Sequence, residues 1–291
     1  MLGDLFNILI PVVLVAATGF VWSKKGLPFD DDFVSRLNFN VATPLLIFSS
    51  LTKLRVEWSA MGEVAGAALV TIAIVAALGS ATLLALRIPL RPYLSPVLFA
   101  NTGNTGLPVC YLAFGDKGLA LAVIVHVIGA SLQFTAGLAM AAGKFSLIEL
   151  ARVPLLYAVA AAAGVVGFNL TLPLWLSNTV ALLGQIAIPL MLLALGASLV
   201  KLRVSAVGRS AILAALRLGL GLGAAAFSVW LLGLAHDQAA VVLLQLSMPS
   251  AVFTYMLAAR YRTEPEGVAG VVFVSTLLGF AAMPFILLLV L

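Results

Sequence analysis

Two short stretches concentrate the side chains able to do chemistry. "NTGNTGLP" at 101–108 packs two asparagines, two threonines, two glycines and a proline into eight positions, and "QLSMPSA" at 245–251 sets Gln245, Ser247 and Ser250 around Pro249. Asn101, Thr102, Asn104, Gln245 and Ser247 offer amide and hydroxyl donors and acceptors. Pro108 and Pro249 lack an amide hydrogen and clash with the preceding helical turn, so each is expected to open a helix. Gly103 and Gly106 permit irregular dihedrals and the close approach of another segment. Such groups supply side-chain donors and acceptors beside the freed backbone and can hold a solute by hydrogen bonds. Half-helices that start after a break present unpaired amide hydrogens and a positive dipole end, which suits an anionic group.

Ionisable residues add little to that list. The eleven acids all fall in loops or near span ends, which disfavours an antiporter that exchanges ions on embedded carboxylates. Sodium held by backbone carbonyls and neutral side chains of unwound helices stays open as an alternative. His126, in the middle of an apolar run, carries a proton near neutral pH or sits neutral between helices. Arg217, also inside a run, attracts an anion, balances the field of the site, snorkels to an interface or pairs with carbonyls. Gln133, Asn38 and Asn40 are expected to bind helices together. The lone Cys110 excludes an internal disulfide, and no phosphate loop, hydrolytic triad or metal-ligand helix pair is present, so neither a metal nor another cofactor is expected.

The elements that must position these groups follow from composition. The chain is 63% hydrophobic and 9% charged, with a mean hydropathy of +1.18, which marks an integral membrane protein. Apolar runs of 17 to 25 residues fit helices crossing a hydrocarbon layer of roughly 30 Å. Asp4 before the first run and Lys24 and Lys25 after it are the wrong charge order for a cleaved signal. Charges and turn formers divide the chain into ten expected spans, beginning near residues 5, 33, 60, 93, 118, 150, 176, 207, 237 and 267. Twelve of the sixteen Lys and Arg fall after odd-numbered spans, three (Lys53, Arg55 and Lys117) after even-numbered ones, and Arg217 lies within a span. The positive-inside rule then puts both termini outside the cytoplasm. Basic residues confined to short loops report topology, and no nucleic-acid partner is expected.

The two halves echo each other. "NVATPLLIF" at 40–48 parallels "QIAIPLMLL" at 185–193, "KLRV" recurs at 53–56 and 201–204, and Pro108 answers Pro249, at offsets of 145, 148 and 141 residues. Five spans per repeat, an odd number, turn the second copy upside down in the bilayer, a layout of many secondary transporters. The expected organisation is a first five-helix repeat over 1–145 and an inverted second repeat over 146–291. The fold class is all-α and polytopic, with ten transmembrane helices, of which helices 4 and 9 are broken and cross. In hydrocarbon an unsatisfied backbone group costs several kcal/mol, so paired breaks belong where they line a cavity.

With these motifs in hand, the chain resembles the auxin efflux carrier family. "NTGNTGLP" fits the pattern Asn-Thr-x-x-x-Gly-x-Pro, and "MPSAVFTYMLAARYRTEPE" at 248–266 and "NFNVATPLLIFSSL" at 38–51 are similar to the ninth and second spans of such carriers. It looks like a short bacterial-type member, similar to plant auxin carriers but without their long central loop. The resemblance implies a fold related to bile acid:sodium symporters, with a scaffold of helices 1, 2, 6 and 7, often dimeric, and a transport domain of helices 3–5 and 8–10 that slides as an elevator. It further implies a small organic anion as cargo and the bacterial cytoplasmic membrane as location. It places Asn101 and Pro108 on the first crossover and Pro249 on the second. A sodium-coupled symporter of the bile acid type and a ligand-binding membrane sensor are the alternatives.

Overall fold

A computed structural model describes residues 2–54, 58–143, 148–202 and 207–291. Arg55, Glu57, Lys144 and Arg203, which entered the charge survey, and Val56 and Val204 of the repeated "KLRV", lie outside the described residues. Among those described, the chain is helical with no strand element. Six helices are long and apolar enough to cross a membrane: 3–24, 59–85, 102–142, 174–201, 207–232 and 265–290. A shorter apolar helix covers Pro154–Gly167.

The long rods are α1 (Leu2–Lys24), α4 (Trp58–Ala85), α12 (Val207–Leu232) and α15 (Pro265–Val290). The other segments are interrupted. α2 (Asp31–Leu37) runs through a π-helical turn, Asn38–Ala42, into α3 (Thr43–Leu54). Its start is capped by Asp30, whose side chain accepts from the Phe33 amide, and Asp31 and Asp32 sit in the first turn where negative charge suits the dipole. α10 (Leu174–Gln185) passes into α11 (Ala187–Lys201) across a break at Ile186. Asn40 and Gln185, paired by the sequence echo, thus both fall at helix irregularities. In the π turn the Asn40 amide donates to the Arg36 carbonyl.

Two segments are broken more deeply. α5 (Leu90–Leu98) ends in extended backbone at Phe99, and a π-helical turn, Thr102–Gly106, starts α6 (Leu107–Leu132). α6 itself bends at Gly115, where φ is 63°, a conformation glycine adopts without steric cost. A further π turn, Gln133–Gly137, leads to α7 (Leu138–Ala142). α13 (His236–Leu246) and α14 (Val252–Tyr261) flank the second deep break.

Helices pack by small residues rather than by burying a one-sided apolar stripe, because lipid tails reward both faces equally. α1 and α11 are the most intimate pair. A side chain at Gly196 would run into the Ala16 carbonyl, and one at Gly19 into the Leu193 carbonyl, so the two backbones touch directly. α3 packs on α9 (Pro154–Gly167), and α12 packs on both α4 and α15. Phe168, Leu174, Trp175, Trp230 and Leu289 point outward, as lipid-facing side chains do.

A crossover of two broken helices as the candidate site

The backbone between α5 and the π turn runs antiparallel to the backbone between α13 and α14. Ala100 and Ser250 form an isolated antiparallel bridge. The Asn101 amide donates to the Pro249 carbonyl at 2.7 Å, and the Ala251 amide donates to the Phe99 carbonyl at 2.9 Å. Each interruption therefore satisfies groups that the other leaves free. That is how non-helical backbone survives inside a membrane protein.

Pro249 lies within its break, as the sequence predicts. Pro108 does not: the chain opens at Phe99–Asn101, and Pro108 lies inside continuous helix, just past the π turn at the start of α6. Around the first break, the amides of Thr105 and Gly106 both reach back to the Asn101 carbonyl, at 3.3 and 3.1 Å. The amides of Thr102, Gly103 and Asn104 head this turn, and those of Val252 and Phe253 head α14. These are the positive ends of two half-helices.

Side chains fill the junction unevenly. Asn101, Thr102, Thr105, Gln245, Ser247 and Ser250 are buried, and Asn104 is half-buried. Gly106 accommodates the Gln245 amide, which a methyl group there would strike, and Gly103 faces His126, whose Cε1 would lie 2.8 Å from an added Cβ. The His126 Nδ1 and the Thr102 hydroxyl are 3.0 Å apart, so the histidine belongs to the junction through a threonine. Ser247 donates to the Leu244 carbonyl at 3.0 Å in its own helix. By contrast Asn101 Nδ2, Thr105 Oγ1 and both amide atoms of Gln245 are buried with no hydrogen-bond partner. The Cys110 thiol, a weak donor, lies beside Gln245 without completing a bond of normal geometry. Buried polar groups are almost always satisfied, so these atoms are the uncommitted donors and acceptors of the junction.

Arg217 projects from α12 to the other side of the same junction and is 1% exposed. Its Nη1 donates to the carbonyls of Val97 and Leu98, both at 3.1 Å, its Nη2 to Leu246 at 2.5 Å and its Nε to Met248 at 3.3 Å. These carbonyls end α5 and α13. Of the roles open to Arg217 in the sequence, carbonyl pairing is the one its contacts display.

Several contributors carry no sequence signal. Ser275 on α15 accepts from the Ser250 amide at 3.0 Å, and the Ser250 hydroxyl donates to the Pro96 carbonyl at 2.7 Å. Phe134 stacks between Phe39, at 4.7 Å, and Phe253, at 4.6 Å, so an aromatic column from three separate helices borders the start of α14. Gln133 is buried beside Phe134 with its Nε2 unpartnered. A separate hollow of about 380 Å³, lined by Leu5, Phe6, Leu9, Ile10, Val13, Leu14 and Pro284, is wholly apolar and shares no residue with the junction. Among the described residues no His, Cys, Asp and Glu cluster suited to a metal exists, and no described carboxylate is buried.

The sequence aligns with known proteins over almost its whole length. A family model described as "Membrane transport protein" matches residues 4–287. An uncharacterized transporter of Methanothermobacter thermautotrophicus is 28% identical over 292 residues, an alignment covering 94% of each chain. Joined to the helical architecture and the paired breaks, that match makes this chain a member of the membrane transport protein family, the auxin efflux carrier family.

Proposed function

We propose that the protein is a secondary transporter that carries small organic anions, carboxylates foremost, across the cytoplasmic membrane, with the crossover as its solute site. The observation that carries this reading is the junction itself: two half-helices begin on either side of one shared backbone bridge, beside buried amide and hydroxyl groups of Asn101, Thr105 and Gln245 that lack partners. A carboxylate brings up to four lone-pair sites for such donors, and helix N-termini favour its charge.

The ten-span, inverted-repeat topology is part of this proposal. It is supported by how the loops sort. Lys53 pairs with Asp116 and Lys117 with Asp237, joining loops that follow spans 2, 4 and 8. Lys201 pairs with Asp31 and Arg209 with Glu264, joining loops that follow spans 1, 7 and 9. Among the described residues these ion pairs join even-numbered loops with even-numbered and odd-numbered with odd-numbered, as they must if the two sets lie on opposite sides of a bilayer. The packing of α1 on α11 and of α3 on α9 relates spans 1 and 7, and spans 2 and 6, in the way a two-fold pseudo-axis requires. In this scheme spans 1, 2, 6 and 7 are the scaffold, and a dimer forms through them. Spans 3–5 and 8–10 carry the crossover as a sliding unit, and the Phe39–Phe134 contact lies on the sliding surface.

Reconstitution in liposomes with a panel of radiolabelled mono- and dicarboxylates tests the function. At least one carboxylate is expected to exchange across the membrane, with a loss of about tenfold or more in Asn101→Ala. Saturable binding without flux under any imposed gradient would establish a sensor instead, and flux that ceases in choline would establish sodium symport.

A further inference from the structure

The C-terminal ends of two helices converge on Arg217. Each helix end carries roughly half a negative charge on its unpaired carbonyls. Here the ends of α5 and α13 meet in a buried place, so about one full negative charge gathers there. Transporters built from broken helices commonly hold a sodium ion or a proton at such carbonyl ends. In this chain the place is filled by a guanidinium, whose fixed fork of donors spans four carbonyls at once. No described carboxylate is buried near enough to neutralise it, so the carbonyls are its counter-charge. Gly221, one turn along α12 from Arg217, keeps that helix against the junction: a methyl group there would strike the Leu246 carbonyl and lie 2.9 Å from Arg217 Nη2.

We propose that Arg217 is a positioning residue that acts as a tethered cation, standing where a mobile coupling ion would otherwise bind, so that solute binds at the crossover without any alkali cation. The inference rests on the crossover being the solute site, and it deepens that reading by naming what holds the site in shape. Because the charge is covalently attached, the junction is assembled before solute arrives. A purely structural arginine would make no prediction about ions; a tethered cation does.

The test compares wild type, Arg217→Ala and Arg217→Met in proteoliposomes and in detergent, with sodium, potassium or choline as the chloride salt. Wild-type carboxylate flux is expected to stay within about twofold across the three salts, since a ligand without differential contact shifts nothing. Arg217→Ala in choline is expected to lose about tenfold or more, as breaking a buried charged network does. Millimolar guanidinium, but not urea, restores much of that loss. Arg217→Met, which fills the volume without charge, stays inactive. Should Arg217→Ala fail to fold, Arg217→Lys, with its charge but not its fork, is expected to keep reduced flux that remains independent of sodium. Melting temperature gives a readout that needs no transport: guanidinium raises that of Arg217→Ala and leaves wild type unmoved. That rise upholds the tethered cation even where no carboxylate crosses with wild type, an outcome that overturns only the transport reading. Strict sodium dependence of wild-type flux, undiminished flux of Arg217→Ala or Arg217→Met in choline, or no guanidinium-specific rise in melting temperature overturns the proposal.

Discussion

The two breaks that meet at the crossover share one backbone arrangement and differ in how their polar groups are satisfied. In the second break every serine is engaged: Ser250 through its amide to Ser275 and through its hydroxyl to the Pro96 carbonyl, and Ser247 to Leu244. In the first break Asn101 Nδ2 and Thr105 Oγ1 are buried and unpaired, and Gln245, though it belongs to α13, presents its idle amide to Gly106 of the first break. One strand of the crossover is anchored and the other is open. On the proposed reading of the crossover as solute site, this division is useful, because the anchored strand keeps the geometry while the open strand supplies donors that are not already committed.

If the second break is the anchor, cutting its ties should damage the fold before anything else. Ser275→Ala leaves the Ser250 amide hydrogen buried without an acceptor, and a buried orphan of this kind costs about 2 kcal/mol. The melting temperature in detergent should fall, and transport should fall with it. A Ser275→Ala protein that melts like wild type would show that the second break is not held where the hydrogen bonds imply.

The next effect separates the two strands by their contact. Gly106→Ala pushes a methyl group into the Gln245 amide. Since the obstacle is the far end of a flexible side chain, the expected cost is about 1 kcal/mol, at the low end for overpacking. Gln245→Ala in the same chain should recover most of it, a coupling that a double-mutant cycle on melting reads directly. Additive effects would mean that Gly106 and Gln245 do not touch.

How much of this was legible in the sequence depends on range. Apolar runs and their charged punctuation announce the helices, and the paired Asn, Gly and Pro stretches mark which segments break. The position of the first break was not legible, because Pro108 reads as a helix breaker although it sits in continuous helix just past the π turn. The chain opens seven to nine residues before Pro108, at Phe99–Asn101, where the Pro249 carbonyl accepts the Asn101 amide. That partner is 148 residues away in sequence, beyond any local rule. Arg217 was legible as a lone intramembrane charge in need of company. Its company, four main-chain carbonyls, has no side-chain signature. The Phe39–Phe134–Phe253 column was invisible for a related reason, since aromatic residues in apolar helices are common and only tertiary packing selects these three.

The open strand invites the opposite of the usual alanine result. Asn101 Nδ2 has no partner to lose, so Asn101→Ala should change stability by no more than about 0.5 kcal/mol, while carboxylate binding weakens sharply. Thr105→Val should behave alike. Measuring melting and flux on the same preparations decides the point: if both fall together in Asn101→Ala, the asparagine is an anchor like Ser250 and the contrast between the strands disappears.

The smallest expected effect lies outside the crossover and checks that stability is governed there rather than at the helix ends. Lys117 Nζ is 2.5 Å from Asp237 Oδ2, with both side chains more than half exposed. The hydrogen bond and charge of Lys117 hold the Asp237 carboxyl below its ordinary value of 3.8. A carboxyl depressed in the folded state stabilises above its unfolded pKa, and that contribution fades as pH falls through the folded value. The pair should therefore help at neutral pH and cease to help in acid below pH 3.8. Solvent screening limits it to a few tenths of a kcal/mol. Asp237→Asn should lower the melting temperature barely measurably at pH 7, less in high salt, and not at all in strong acid. A loss in Asp237→Asn as large as that in Ser275→Ala would place the molecule's anchor at this outer ion pair, and the difference between an anchored and an open strand would then have no bearing on what holds the crossover together.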